Sequence, residues 1–186
     1  MWREVVWFYL LLGPMVIMAA DTEFRLYRPL TESAFQPKVH ITAKIVGECW
    51  QQSQRIKRED AWHCVADNTE FDPCFVKPFG SKTEATCIQY PWSTNGIQIT
   101  LTTALDNSQH VLLDMSKAFP WAMVLTNGKK CYSIDSNVLD DGMPVRYRCD
   151  EKTVLMGDIQ RCNNPWKILQ HDSVGYTTVT IAKVWF

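Results

Sequence analysis

WAMVLTNGKKCYSI, residues 121–134, is the stretch on which the fold turns. An apolar run at 121–125 leads into Thr126-Asn127-Gly128-Lys129, and a second run follows at 130–134. Asn-Gly between two such runs is a strong hairpin signal, because both residues tolerate the positive φ of a turn that matches the strand twist. Two antiparallel strands are predicted here. Downstream, Asp140-Asp141-Gly142-Met143-Pro144 reads as a turn. Val145, Tyr147 and Cys149 then alternate with Arg146 and Arg148, a strand with one polar face. Residues 153–156 form a short strand, Asn163-Asn164-Pro165 a turn, and 166–169 a further strand. Residues 176–186 alternate throughout as a long strand.

Upstream, residues 85–90 and 97–105 read as strands around Ser93-Thr94-Asn95-Gly96, a second Asn-Gly hairpin. Val39, Ile41, Ala43 and Ile45 alternate with His40, Thr42, Lys44 and Val46, a half-buried strand that Gly47-Glu48-Cys49-Trp50 ends. Residues 51–60 are polar, with Arg55, Lys57 and Arg58 together; they suit a solvated loop or short exposed helix, with a partner-binding patch as the alternative. Residues 60–80 keep no period and carry Pro73 and Pro78, which suits a cross-linked loop region. Residues 108–119 are predicted as one helix, since Val111, Leu112, Met115 and Phe119 fall on one face. Strand runs far outnumber helix runs. The expected class is mostly β, a sandwich- or barrel-like domain of antiparallel hairpins, with a β-rich α+β fold as the alternative.

The 186 residues carry 19 Lys+Arg against 20 Asp+Glu, a net charge of -1. Apolar residues at 46% and charged residues at 21% exclude a disordered or collagen-like chain. The balance argues against a nucleic-acid partner, which usually demands a basic excess.

Residues 1–20 read as a secretory signal: Arg3 supplies positive charge, Val5 to Met18 is almost wholly apolar, and Ala19-Ala20 offers small residues for cleavage. The run is short for a transmembrane helix, which needs ~20 residues, so no stable membrane insertion is expected after cleavage. An uncleaved anchor is the alternative. Residues 21–37, broken by Pro29 and Pro37, read as a lead-in arm, and 38–186 as a single stapled domain. A secreted or periplasmic chain keeps its cysteines oxidised. Seven cysteines fall well below the ~8–10% of chains held mainly by bridges, so the bridges supplement a true core.

The collected motifs resemble a family of uncharacterised exported bacterial six-cysteine proteins. They are Gly47-Glu48-Cys49-Trp50, Asp60-Ala61-Trp62 with Cys64, Asn68, and Asp72-Pro73-Cys74-Phe75. Cys87 with Pro91-Trp92, Pro120-Trp121-Ala122, Asn127-Gly128 with Cys131, and Tyr147 with Cys149 continue the series. Gly157, Arg161 and Trp166 fit its tail. The resemblance implies an exported six-cysteine domain and no particular activity. His63 stands where arginine is expected, and Cys162 is an extra cysteine. Six cysteines allow fifteen pairings. Nearest-neighbour pairing gives Cys49–Cys64, Cys74–Cys87 and Cys131–Cys149, and leaves Cys162 as a free or intermolecular thiol, a route to a dimer, with Arg161 beside it to favour the thiolate.

The candidate chemistry is sparse. No HExxH, GxSxG or P-loop motif is present. A zinc set of His63, Cys64, Asp72 and Cys74 lacks a C-x2-C pair, and a calcium set of Asp67, Glu70 and Asp72 lacks the glycine-centred loop spacing. No metal or cofactor is expected. Glu48, Asp60 and Asp72 form a candidate acidic site, with Asp158 as a further acid, because a hydrolase needs two convergent carboxylates. Trp92, Trp121 and Trp166 are candidate binding aromatics, because exposed rings beside polar groups take sugars or partner proteins. The expected function is an exported, non-enzymatic binding module for a protein or glycan. A small envelope hydrolase using acids near residues 47–75 is the alternative.

Overall fold

The computed structural model describes residues 20–30, 38–77, 79, 82–134 and 137–186. The signal segment at 1–19 and the second half of the arm, 31–37, lie outside the described residues. Among the described residues there are thirteen strands and no helix.

β1 (Glu23–Arg25) is followed by five strands: β2 (His40–Gln52), β3 (Ala61–Ala66), β4 (Thr69–Phe75), β5 (Glu84–Cys87) and β6 (Asn95–Leu101). Strands β2 to β6 close into a barrel. The seam is the parallel pairing of β2 with β6, from His40 opposite Asn95 to Gly47 opposite Leu101. β2 then continues to Gln52 and pairs antiparallel with β3. It serves two neighbours in succession, which explains its length. Gly47 sits at the handover, where a Cβ would strike the Val65 carbonyl oxygen and stand 2.8 Å from Ala66 Cβ. So the motif at 47–50 does not end the strand as predicted. It lets the strand change partners.

The predicted loop region 60–80 is instead a hairpin. Asp67 and Asn68 adopt φ of 49° and 59°, the left-handed pair that joins β3 to β4. Its period is hidden because β3 is buried on nearly every residue and the ladder is interrupted by bulges at Cys49/Gln51 and Trp62/Cys64. The second Asn-Gly prediction also needs correction. β5 and β6 pair antiparallel as expected, but Asn95 and Gly96 belong to β6 and pair with β2, and the turn lies earlier, within 88–94.

The second unit comprises β7 (Ala122–Leu125), β8 (Lys130–Ser133), β9 (Leu139–Asp140), β10 (Met143–Arg148), β11 (Val154–Gln160), β12 (Lys167–Asp172) and β13 (Gly175–Trp185). Its order is β13-β12-β11-β10-β8-β7, and a further β13–β7 pairing brings the sheet back on itself. β13 pairs with β12 through its first half and with β7 through its second. The opening hairpin is as predicted: Gly128 takes φ 84°, and its N–H donates to the Leu125 carbonyl at 2.9 Å. Asp141 and Gly142 make a matching turn at φ 49° and 77°. Leu125, Tyr147, Leu155, Ile168, Ile181 and Phe186 fill this core.

β1 lies parallel to β13, with Glu23 opposite Lys183 and Arg25 opposite Trp185. Thr22 and Tyr27 are buried. Residues 22–27 are therefore part of the second barrel rather than a lead-in arm.

A shared core joins the two barrels. Ile56, Ala61, Phe75 and Ile88 from the first meet Tyr27 and Trp121 of the second. Tyr27, Phe75 and Trp121 form a ring triangle with centroids 5.1 to 5.8 Å apart. Arg58, 3% exposed, crosses this junction. Its guanidinium pairs with Asp60, donates to the Tyr27 and Phe186 main-chain oxygens, and lies 5.0 Å from the Phe75 ring centroid.

Three disulfides, Cys49–Cys64, Cys74–Cys87 and Cys131–Cys149, follow the nearest-neighbour pairing. Cys49 and Cys64 are direct partners across β2 and β3, as are Cys74 and Cys87 across β4 and β5. Two bridges staple the first barrel and one the second. Three intramolecular bridges fit an oxidising environment. Cys162 is exposed and unpaired.

Candidate functional site

Residues 102–121 connect the barrels as an irregular strap, not a helix. Asp106 and Asp114 accept the N–H groups of Ser108 and Ser116 through their side chains, and such bonds compete with helical ones. The strap is tied to both barrels. Gln52 donates to the Val111 carbonyl at 2.7 Å and accepts its N–H at 3.2 Å. Arg161 donates to the Ser116 and Ala118 carbonyls at 2.8 and 2.7 Å. Arg161 also lies over Trp166 at 4.9 Å, so its charge is engaged by the strap carbonyls and by this ring.

Beneath the strap is a cleft of about 550 Å³ between the barrels. Val111, Leu112, Phe119, Ile134 and Tyr147 supply its apolar lining. Val111 and Leu112 are 63% and 72% exposed, so the predicted apolar helix face is a cleft wall instead of a core stripe. Four cations reach the same space: Arg55, Lys57, Lys117 and Arg146. Asp114, the one acid in the lining, pairs with Lys117 at 3.5 Å. Arg146 lies 4.5 Å over the Phe119 ring and 3.6 Å from Asp158. Lys57 donates to the Ser53 carbonyl at 3.2 Å. The half-buried Arg55 guanidinium makes no hydrogen bond or ion pair among the described residues.

Arg55 also lines a second cleft, of about 430 Å³, on the flank of the first barrel. Asp72 lies here. Ser53 donates its hydroxyl to Asp72 Oδ1, and the Gln54 N–H donates to Oδ2 at 2.9 Å. His63 lies behind it, 8% exposed, with Nδ1 3.4 Å from Asp72 and Nε2 3.7 Å from Glu70. Trp50, 53% exposed, covers the imidazole at 4.9 Å.

Ser53, His63 and Asp72 invite comparison with a nucleophilic triad, but the bonding runs the wrong way. A nucleophilic serine needs the histidine as its base. Here Ser53 Oγ gives its proton to Asp72 and accepts the Arg55 and Ile56 N–H groups at 3.2 and 3.1 Å, so its hydrogen-bonding capacity is filled. Asp72 is an anchor for the turn that carries Arg55 and Lys57.

The predicted acids do not converge. Glu48 is exposed opposite Val65 and accepts from Thr102; Asp60 is held by Arg58; Asp72 lies beside His63; Asp158 faces Arg146. The candidate aromatics separate too. Trp121 is fully buried in the shared core, which removes it as a binding residue. Trp166 is half-buried between Phe24 and Arg161. Trp92 packs among Tyr90, Trp185 and Lys130. The only close-set group of metal-ligating atoms among the described residues is Cys64, Cys74 and Cys87, whose sulfurs are all in disulfides.

Arg55 and Lys57 were legible as a charge cluster but not as a site, because sequence does not show that their turn packs against a second barrel. Arg146 was legible only as the polar face of a strand.

Burial holds the Asp72 carboxyl above its ordinary 3.8, against the opposing hydrogen bonds of Ser53 and Gln54. A carboxyl whose pKa is higher folded than unfolded contributes stability below the unfolded value, and loses it as pH rises through the folded value. In Asp72→Asn this component is absent. The wild type is therefore expected to lose stability relative to the variant as pH rises from about 3.8 through that window. Paired denaturation curves across acidic pH measure it, and a wild type that gains on the variant over this range would contradict the burial of Asp72.

No family model, curated protein or solved structure matches the chain.

Proposed function

We propose that the protein is a secreted or periplasmic binding module, without catalytic chemistry of its own, that takes an anionic amphiphile in the cleft between its barrels. The carrying observation is Arg55, a half-buried guanidinium with no hydrogen bond or ion pair among the described residues, facing a cleft with three further cations and an apolar wall. A guanidinium fork matches carboxylate and phosphate oxygens in pairs. Lys117 is paired with Asp114 and Arg146 with Asp158, and Arg55 feels the Asp72 carboxylate through space without bonding to it, so Arg55 and Lys57 are the cations left to meet an anion although the whole chain is near neutral. Leu112 and Phe119 give an alkyl or aromatic body a surface to cover. The three bridges support the exported setting.

Calorimetric titration with octyl phosphate and with octanoate, each below its micellar concentration, tests this. Saturable one-to-one binding that weakens with added salt is expected. Arg55→Ala is expected to weaken it about tenfold or more, since a charge-assisted hydrogen bond contributes about 1.5–3 kcal/mol. Its melting temperature should stay close to that of the wild type. Absence of saturable binding to both probes, or equal affinity in wild type and Arg55→Ala, would refute the proposal.

A further inference from the structure

Arg55 lines both clefts, and the two differ in chemistry. The inter-barrel cleft is apolar and basic. The flank cleft is polar at its rim and apolar on its floor. Its rim carries the Glu70 carboxylate and the Gln89 and Asn95 amides, with the Asp72 carboxylate deeper in; its floor is Pro73, Ile88 and Ile97. Glu70 has a side chain 75% exposed, so its oxygens are open to a ligand. A carboxylate only accepts hydrogen bonds, while an amide both donates and accepts. A sugar ring requires this combination, because each hydroxyl can donate and accept while its C–H faces are apolar. A fatty acid or a simple alkyl phosphate only accepts hydrogen bonds and so leaves the Glu70 carboxylate without a donor.

We infer that the flank cleft receives the sugar of a glycosyl phosphate lipid, whose phosphate sits on Arg55 and whose alkyl chain lies in the inter-barrel cleft. This rests on the reading of the inter-barrel cleft as an anion and alkyl site. The order of the ligand's parts follows from the order of the clefts: hydroxyl-rich group, anion, apolar chain. A phosphodiester at the junction meets the one arginine common to both walls.

The test compares octyl phosphate, glucose 1-(octyl phosphate) and neutral octyl glucoside on the full chain. The glycosylated phosphate is expected to bind about tenfold tighter than octyl phosphate, and octyl glucoside more weakly than either. In the double variant Gln89→Ala, Asn95→Ala, which leaves every charge around Arg55 in place, the tenfold advantage should vanish while octyl phosphate affinity stays as in the wild type. Both positions are exposed, so the fold should survive, and the unchanged octyl phosphate affinity reports that it does. If octyl phosphate binds but glucose adds nothing, or if the gain survives the double variant, the sugar subsite is wrong and the anion site stands. If octyl phosphate itself does not bind, the anion site fails and the sugar subsite with it.

Discussion

Reduction of the three disulfides is expected to lower folding stability by up to about 9 kcal/mol, at about 3 kcal/mol for each. The bridges close short loops, with sequence separations of 15, 13 and 18 residues. The chain-entropy argument assigns loops of this size similar contributions. The Cys64, Cys74 and Cys87 sulfurs lie within 4.8 Å of one another, so the two first-barrel bridges are coupled and the summed figure is an upper bound. Domain stabilities of about 5–15 kcal/mol leave little after such a loss. The first barrel holds two of the three bridges and should fail first. Urea denaturation followed by circular dichroism, with and without reductant, measures the effect. The reduced chain should be largely unfolded or have a much lower midpoint. An unchanged midpoint in protein shown by alkylation to be fully reduced would contradict the bridges' role.

Replacing Arg58 by methionine is expected to cost about 3–5 kcal/mol, the range for removing one partner of a buried ion pair. Methionine fills much of the same space, so packing loss alone is modest. The main consequence is uncompensated polarity. Asp60, with its side chain 18% exposed, loses its counter-ion, and the Tyr27 and Phe186 main-chain oxygens lose a charged donor. Tyr27 and Phe186 belong to the second barrel, while Asp60 leads into β3 of the first, so the arginine clamps one to the other. Arg58→Met combined with Asp60→Asn should be milder than the sum of the two single changes, because the second removes the charge that the first strands. Arg58 also ends the turn bearing Arg55 and Lys57. Octyl phosphate binding should therefore weaken in Arg58→Met even at temperatures where the variant stays folded. A stability loss below about 1 kcal/mol would place Arg58 among ordinary surface arginines and contradict the clamp.

The parts of the fold visible in the sequence were those where one face is buried and one solvated. β10 alternates for that reason, whereas the burial of β13 breaks step at its register shift between Ile181 and Lys183; Gly128 marks its turn because φ must be positive there. β3 was invisible because both its faces are buried, and Asp67-Asn68 is a less emphatic turn signal than Asn-Gly. Asn95-Gly96 misled for the opposite reason. Gly96 is there because Val39, just before β2, and the end of β5 crowd it, with Val39 Cγ1 2.8 Å and the Cys87 carbonyl oxygen 3.1 Å from where a Cβ would be, and no left-handed turn is needed. The strap mimicked a helix by spacing, but Asp106 and Asp114 bind their own backbone and Gln52 and Arg161 hold it open. The cysteine framework was legible because cross-strand partners close in sequence are close in space. The site was not. It lies where two barrels meet, and its residues come from positions as distant as 55 and 146.

The most direct measurement is a crystal structure of the oxidised protein with octyl phosphate bound. The phosphate should lie within hydrogen-bonding distance of the Arg55 guanidinium, with the alkyl chain against Leu112 and Phe119 beneath the strap. A bound octyl phosphate seated elsewhere, with the inter-barrel cleft occupied by solvent alone, would contradict the central claim.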